Sequence, residues 1–161
     1  MKVTAAGSSK EAEGGCRCGR LRFRVAGDPL FTSACHCKGC QRMTASAFSL
    51  SSGYPTDRFQ ILEGDPVIGG LHGAARHQFC GYCMSWVFTR LEEIGDFVNV
   101  RTTMLDDVPA APPFLETFTT ARLPWATTGA IHSFETFPPM ERFQDLMDDY
   151  ARTRGEAEGT L

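Results

Sequence analysis

The chain has 161 residues, 42% hydrophobic and 22% charged, with a net charge of −3 and a sequence pI of about 5.8. Such a chain is one globular domain, long enough to bury a core, and its acidic balance argues against a general nucleic-acid binder. No apolar run approaches the ~20 residues of a membrane span, and "MKVTAAGSSKEAEGG" lacks the apolar region of a secretory signal.

Residues 1–13 are small, polar and charged, and are expected to form a flexible tail. In "RLRFRVAG", Leu21, Phe23 and Val25 alternate with Arg20, Arg22 and Arg24, the pattern of a half-buried strand. The arginine face suits an anionic ligand, although a solvated outer face is the commoner use of such a pattern. "AFSLSS" and "RFQILEG" are further short strands, with "SGYPTD" and "EGDP" as turns. "WVFTRLEE" and "DFVNVRTTML" form a strand pair around Gly95, and "FLETFTT" is one more strand. In "PMERFQDLMDDYARTR", Met140, Phe143, Leu146, Met147 and Tyr150 recur at helical steps, which predicts a C-terminal helix with one packing face. "GEAEGTL" is expected to fray. The result is a mostly β chain with long irregular connections and one terminal helix.

Such a chain needs internal links, and the cysteines are placed to make them. They fall in three groups: Cys16 and Cys18 in "GGCRCG", Cys35, Cys37 and Cys40 in "CHCKGC", and Cys80 and Cys83 in "FCGYC". Without an export signal, seven clustered cysteines are expected as thiolate ligands in a reducing cytoplasm, and their odd number fits a disulfide framework poorly. A Cys-x-Cys in extended chain presents both sulfurs to one side; a Cys-x-x-Cys does so around a tight turn. Zinc suits such ligands because it accepts four thiolates tetrahedrally without redox chemistry. Two pairs and a triplet imply two zinc sites, one closed by four cysteines and one with three protein ligands and an open position. Spacing leaves the combination open: Cys16 and Cys18 pair with Cys80 and Cys83, or with two of the central three. The triplet lies in one loop and is able to close on a metal by itself, which leaves the outer pairs for each other.

Of the histidines, His36 lies between two ligands, and in extended chain its ring points away from the sulfurs of Cys35 and Cys37. His72, His77 and His132 have no ligand spacing and are expected at the surface or in supporting roles. Asp106 and Asp107 fall in a turn, "LDDVP", and are expected to be solvated.

The order Cys-x-Cys-Gly, Cys-His-Cys-x-x-Cys, Phe-Cys-x-x-Cys resembles the glutathione-dependent formaldehyde-activating enzyme family, which also includes centromere protein V. "RTTMLDD" and "ARLPWAT" look like later segments of the same family, so the resemblance spans roughly residues 14 to 126. It implies a small, zinc-linked β-tent of short antiparallel sheets over residues 14–137, with residues 138–161 as a C-terminal helix and tail. It implies two zinc ions per chain: a structural one on Cys16, Cys18, Cys80 and Cys83, and a second on Cys35, Cys37 and Cys40, which would be the catalytic centre. The implied activity is that of a carbon–sulfur lyase or synthase, acting on the adduct of formaldehyde or another small aldehyde with glutathione or a related thiol. A non-catalytic zinc-stabilised module binding a thiol or a protein, and a zinc or redox sensor, are the alternatives. The expected setting is cytoplasmic, with a small thiol as partner, no nucleic acid, no membrane, and a homodimer as one assembly. Arg17, Lys38 and Arg42 lie beside ligand cysteines, where they would meet a ligand's carboxylates or serve as solvated charges. The chain departs from the family in three places. Met84 follows the last cysteine where family members usually carry glycine. "TASAF" stands where many have a Ser-Gly-Ala step, and Glu116 stands where a histidine is often found.

Overall fold

The computed structural model describes residues 10–71, 73–91 and 95–158. In chain order the strands and helices are β1 (Glu11–Gly15), β2 (Arg22–Ala26), β3 (Phe31–Cys35), α1 (Lys38–Thr44), β4 (Ser49–Pro55), β5 (Phe59–Glu63), β6 (Pro66–Ile68), β7 (Ala75–Cys80), β8 (Trp86–Leu91), β9 (Phe97–Arg101), β10 (Leu115–Thr117), β11 (His132–Ser133) and α2 (Phe143–Glu158). The protein is mostly β with a C-terminal helix, as its sequence leads one to expect. No helix among the described residues is long and apolar enough to cross a membrane. The chain forms two compact units. The first takes the described residues of Met1–Pro29 and Leu50–Ala111, the second those of Leu30–Ser49 and Pro112–Leu161.

The first unit holds two antiparallel arrays, β1-β2-β5 and β4-β9-β8-β7-β6. The alternation in β2 works as read: Leu21, Phe23 and Val25 are buried with Phe59, Val87, Phe88, Val98 and Val100, and the Phe23 and Phe59 rings stack at 5.7 Å. The outer face of β2 is occupied by the chain's own carboxylates. Arg22 pairs with Asp106 at 2.9 and 2.5 Å, and Arg24 with Glu13 at 2.6 Å. Asp106 lies exposed in a bend, as expected, and is an ion-pair partner as well; its carboxyl is held below the ordinary range by the hydrogen bonds from Arg22.

Strand β1 begins at Glu11, inside the stretch expected as tail. Residues 11–13 pair with Ala26, Val25 and Arg24, and the Glu13–Arg24 cross-strand pair favours extended chain in a sequence of low intrinsic β preference. The residues before Lys10 lie outside the described ones. Gly14 packs so closely that a Cβ would collide with the Met104 carbonyl and the Phe23 ring. Strand β4 runs through "SGYP" to Pro55, which pairs with Phe97, and the turn falls at Thr56–Arg58. Strand β7, "ARHQFC", carries no clean alternation; it forms because both its edges are paired, to β6 and β8.

In the second unit, β10 lies between β3 and β11 and pairs parallel with both. Leu146 is buried, the Phe143 ring meets Phe31 at 6.2 Å and Phe137 at 5.4 Å, and Tyr150 meets Phe114 at 5.1 Å. The packing face of α2 thus starts at Phe143. Met140, expected on that face, lies in a 3-10 turn and is 54% exposed. The helix continues through "GEAE", where the sequence predicts fraying. Helix α1 has no buried residue, so the periodicity that would announce it is missing. It ends at Ala45, which adopts a left-handed conformation with φ 49°.

Candidate metal centres

In the first unit, β1 runs into Cys16 and a tight turn brings Cys18 back beside it. The Gly19 N–H donates to the Cys16 carbonyl at 3.0 Å, with Gly19 at φ 79°. The Cys16 sulfur accepts from the Leu21 N–H at 3.3 Å. The second pair sits where β7 turns into β8. The Met84 N–H donates to the Cys80 carbonyl at 3.0 Å, and the Ser85 hydroxyl lies 3.2 Å from the Cys83 sulfur. Met84 closes this turn with φ 57°.

The four sulfurs of Cys16, Cys18, Cys80 and Cys83 lie within 4.8 Å of one another. Cys16 to Cys18 is 3.5 Å and Cys18 to Cys80 is 3.8 Å. A tetrahedral zinc with Zn–S bonds of about 2.3 Å spaces its sulfurs by about 3.8 Å, so the cluster fits a four-thiolate ion. All seven cysteines are free thiols. Crowding polarises them. Burial raises the Cys83 thiol, but hydrogen bonds from Ser85 and Cys18 outweigh it and hold Cys83 down to about 5. The Arg20 N–H lowers Cys18, yet burial and the neighbouring sulfurs push it up to about 11.

In the second unit, β3 ends at Cys35 and α1 begins just beyond Cys37. Cys37 is the helix N-cap, and its sulfur accepts from the Cys40 N–H at 3.3 Å. The sulfurs of Cys35, Cys37 and Cys40 lie within 4.8 Å of one another. The hydrogen bond from Cys40 is the largest influence on Cys35 and outweighs burial, so Cys35 is held down to about 5. The same bond, with burial, pushes Cys40 up. Three sulfurs converging in this way form a ligand set for a divalent cation. Both clusters are all-sulfur, and among the described residues no histidine or carboxylate joins either one. That donor set suits zinc, and the two clusters are able to hold a metal.

The histidines stand apart. His36 is fully buried, its Nε2 is 3.0 Å from Glu116 Oε2, and its ring packs edge-on to Phe48, so it serves neither as ligand nor as filler between the sulfurs. His77 Nδ1 meets the Thr89 hydroxyl at 3.0 Å and His132 Nε2 meets Asp149 at 2.8 Å; His72 lies outside the described residues. Of the candidate cations, Lys38 donates to Gln41 at 3.1 Å and Arg42 is exposed, both in the second unit. Arg17 is exposed beside Cys16 and Cys18, in the first.

The sequence singles out Glu116 but gives no sign of Gln41 or Thr117, which grip the triplet loop. Gln41 Nε2 donates to the His36 carbonyl at 2.7 Å and to the Ala121 carbonyl at 2.9 Å. The Thr117 carbonyl accepts from the His36 N–H at 3.0 Å. Glu116 beside it is a buried carboxylate in β10. The available signal was a lone acidic residue inside the apolar stretch "FLETF".

A family model described as glutathione-dependent formaldehyde-activating enzyme matches residues 11–121. A Rhodobacter sphaeroides protein of known crystal structure aligns with a TM-score of 0.51 at 19% identity, over 61% of this chain and 91% of that one, a likeness of fold alone. No curated protein matches the chain.

Proposed function

Since the chain belongs to the glutathione-dependent formaldehyde-activating enzyme family, we propose that it makes or breaks the carbon–sulfur bond between a small aldehyde and a thiol of the glutathione class, at Cys35, Cys37 and Cys40. The observation that carries this is the triplet itself: three converging sulfurs and no fourth protein ligand among the described residues. A site that only holds a fold together is closed; one that works on a substrate keeps a position open.

In the synthetic direction the thiol sulfur bonds to the aldehyde carbon, the thiol proton passes to the carbonyl oxygen, and an S-hydroxymethyl thiol results. A zinc ion held by the three cysteines would supply the charge that keeps a fourth, incoming thiol deprotonated, and only the thiolate attacks carbon. The chain's own residues do the rest. Cys37 and Cys40 are set by the first turn of α1, the Cys40 N–H fixing the Cys37 sulfur. Cys35 is set by the end of β3, where Thr117 pairs with it in register. Three thiolates leave a net negative charge on the loaded centre, so the cluster is better at binding and aligning a thiol than at polarising an aldehyde. Cys16, Cys18, Cys80 and Cys83 would hold the structural zinc, which makes two ions per chain, and seven free thiols suit a reducing cytoplasm.

Exchange spectroscopy by NMR tests the proposal by following glutathione plus formaldehyde against the S-hydroxymethyl adduct. The exchange rate should rise in proportion to zinc-replete protein and drop in Cys37→Ser. Binding of glutathione with no gain over the spontaneous rate would favour a non-catalytic thiol-binding module. Neither binding nor rate gain would exclude this substrate.

A further inference from the structure

Glu116 is a carboxylate, 4% exposed, in the middle of a three-residue strand whose every side chain is buried. Such a charge is costly unless donors saturate it, and here they do. Oε2 accepts from His36 Nε2 at 3.0 Å and from the Thr128 hydroxyl at 2.9 Å. Oε1 accepts from Arg122 Nη1 at 2.9 Å and from the Ser133 hydroxyl at 2.7 Å. Of these four donors only His36 lies in the triplet loop, flanked on both sides by a triplet cysteine. The other three keep the carboxylate from turning.

His36 is fully buried and its Nδ1 has no hydrogen-bond partner, so the bond to Glu116 is the ring's one hydrogen bond among the described residues. Its backbone is pinned on both sides, the N–H by the Thr117 carbonyl at 3.0 Å and the carbonyl by Gln41 at 2.7 Å. A residue pinned in this way cannot swing without carrying Cys35 and Cys37 with it.

We propose that Glu116 is a positioning residue for the three-cysteine centre: through its bond to His36 it holds Cys35 and Cys37 where their sulfurs converge with that of Cys40. This rests on zinc binding by the triplet, as proposed above. The action is one of reach. Gln at 116 has the same length; its amide oxygen can accept from His36 and Thr128 while its NH₂ faces the Ser133 hydroxyl, which is able to accept, and the half-exposed Arg122 turns to water. Asp at 116 keeps the charge but falls about 1.5 Å short, beyond hydrogen-bond range of His36.

The test is zinc release to a chromophoric chelator, with the cobalt-substituted spectrum as a second readout. Wild type should hold two zinc ions, and the one absent from Cys37→Ser identifies the triplet. In Glu116→Asp the triplet zinc should leave at least about tenfold faster, with the cobalt bands of that site shifted and the four-cysteine zinc unmoved. In Glu116→Gln release should stay within about threefold of wild type. Replacing His36 by Phe, which has no donor, in the Asp background should add nothing, since one bond is already lost. Wild-type release from Glu116→Asp would overturn the proposal, and so would Glu116→Gln releasing as fast as Glu116→Asp, for then charge or general stability would be responsible. Should Glu116→Asp not fold, His36→Phe alone removes the donor from the other end while keeping a ring against Phe48, and unchanged release would again overturn it. A wild-type triplet that holds no zinc would instead strike down the proposed function.

Discussion

Cys83→Ser should cripple the fold while Cys37→Ser should not, although each removes one sulfur from one cluster. Cys16 and Cys80 lie in the buried cluster that contains Phe23, Val87 and Phe88, with Cys83 packed against it, so the four-cysteine site is part of the first unit's core. A structural zinc contributes an apparent ~10–16 kcal/mol to folding, as much as the ~5–15 kcal/mol that is the whole net stability of a typical protein. Losing one of four ligands forfeits on the order of a quarter of the metal's contribution, about 3 kcal/mol. At about 2–4 °C per kcal/mol for a chain of this size, that is a fall in Tm on the order of 10 °C. Cys37→Ser differs in two respects. Serine is itself a good N-cap, so the Cys40 N–H keeps its acceptor, and the second unit has apolar packing of its own through Phe31, Phe114, Leu115 and Leu146. Its Tm should stay within about 3 °C of wild type by the same conversion. The measurement is thermal unfolding of reduced, zinc-loaded protein, with metal content read by elemental analysis and Trp86, buried in the first unit, as the fluorescent reporter. Equal loss of Tm from both variants, or a Cys83→Ser protein as stable as wild type, would refute the division into a structural and an open centre.

Stepwise chelation of the wild type should empty the triplet first, because it offers one ligand fewer; loss of both ions in a single step would contradict that order. Met84→Gly and Ala45→Gly should each raise stability in denaturant titrations by up to about 1 kcal/mol, because both residues hold left-handed backbone that costs an L side chain about that much. Gly14→Ala should destabilise by about 2 kcal/mol or more through overpacking against Met104 and Phe23, seen as a lower urea midpoint. Asp149→Asn should lower Tm at neutral pH. The hydrogen bonds from His132 and then Arg152 hold the Asp149 carboxyl below its ordinary 3.8. A carboxyl depressed in the folded state contributes stability above its unfolded pKa, so the difference between variant and wild type should vanish as pH falls below 3.8 through the folded value.

The cysteine spacing carried most of the chemistry by itself. Cys-x-Cys and Cys-x-x-Cys are local devices, and a few residues of backbone geometry are enough to converge their sulfurs. The alternation of Leu21, Phe23 and Val25 was equally local, as was the packing face of α2 from Phe143 to Tyr150. Which pairs combine was a long-range matter: Cys16 and Cys18 meet Cys80 and Cys83 because β2 and β7–β8 enclose one core. Strands β1 and β7 were hidden for the same reason, since polar segments become strands only when a partner supplies ladder bonds and cross-strand charges. Glu116 shows the limit most plainly. Read along the chain it is one acidic residue in the apolar stretch "FLETF"; its role depends on His36, Arg122, Thr128 and Ser133, which parallel pairing of β10 and the loops around it bring to one carboxylate. A buried charge is tolerated only where donors from several segments meet it, and that convergence is a property of the tertiary structure.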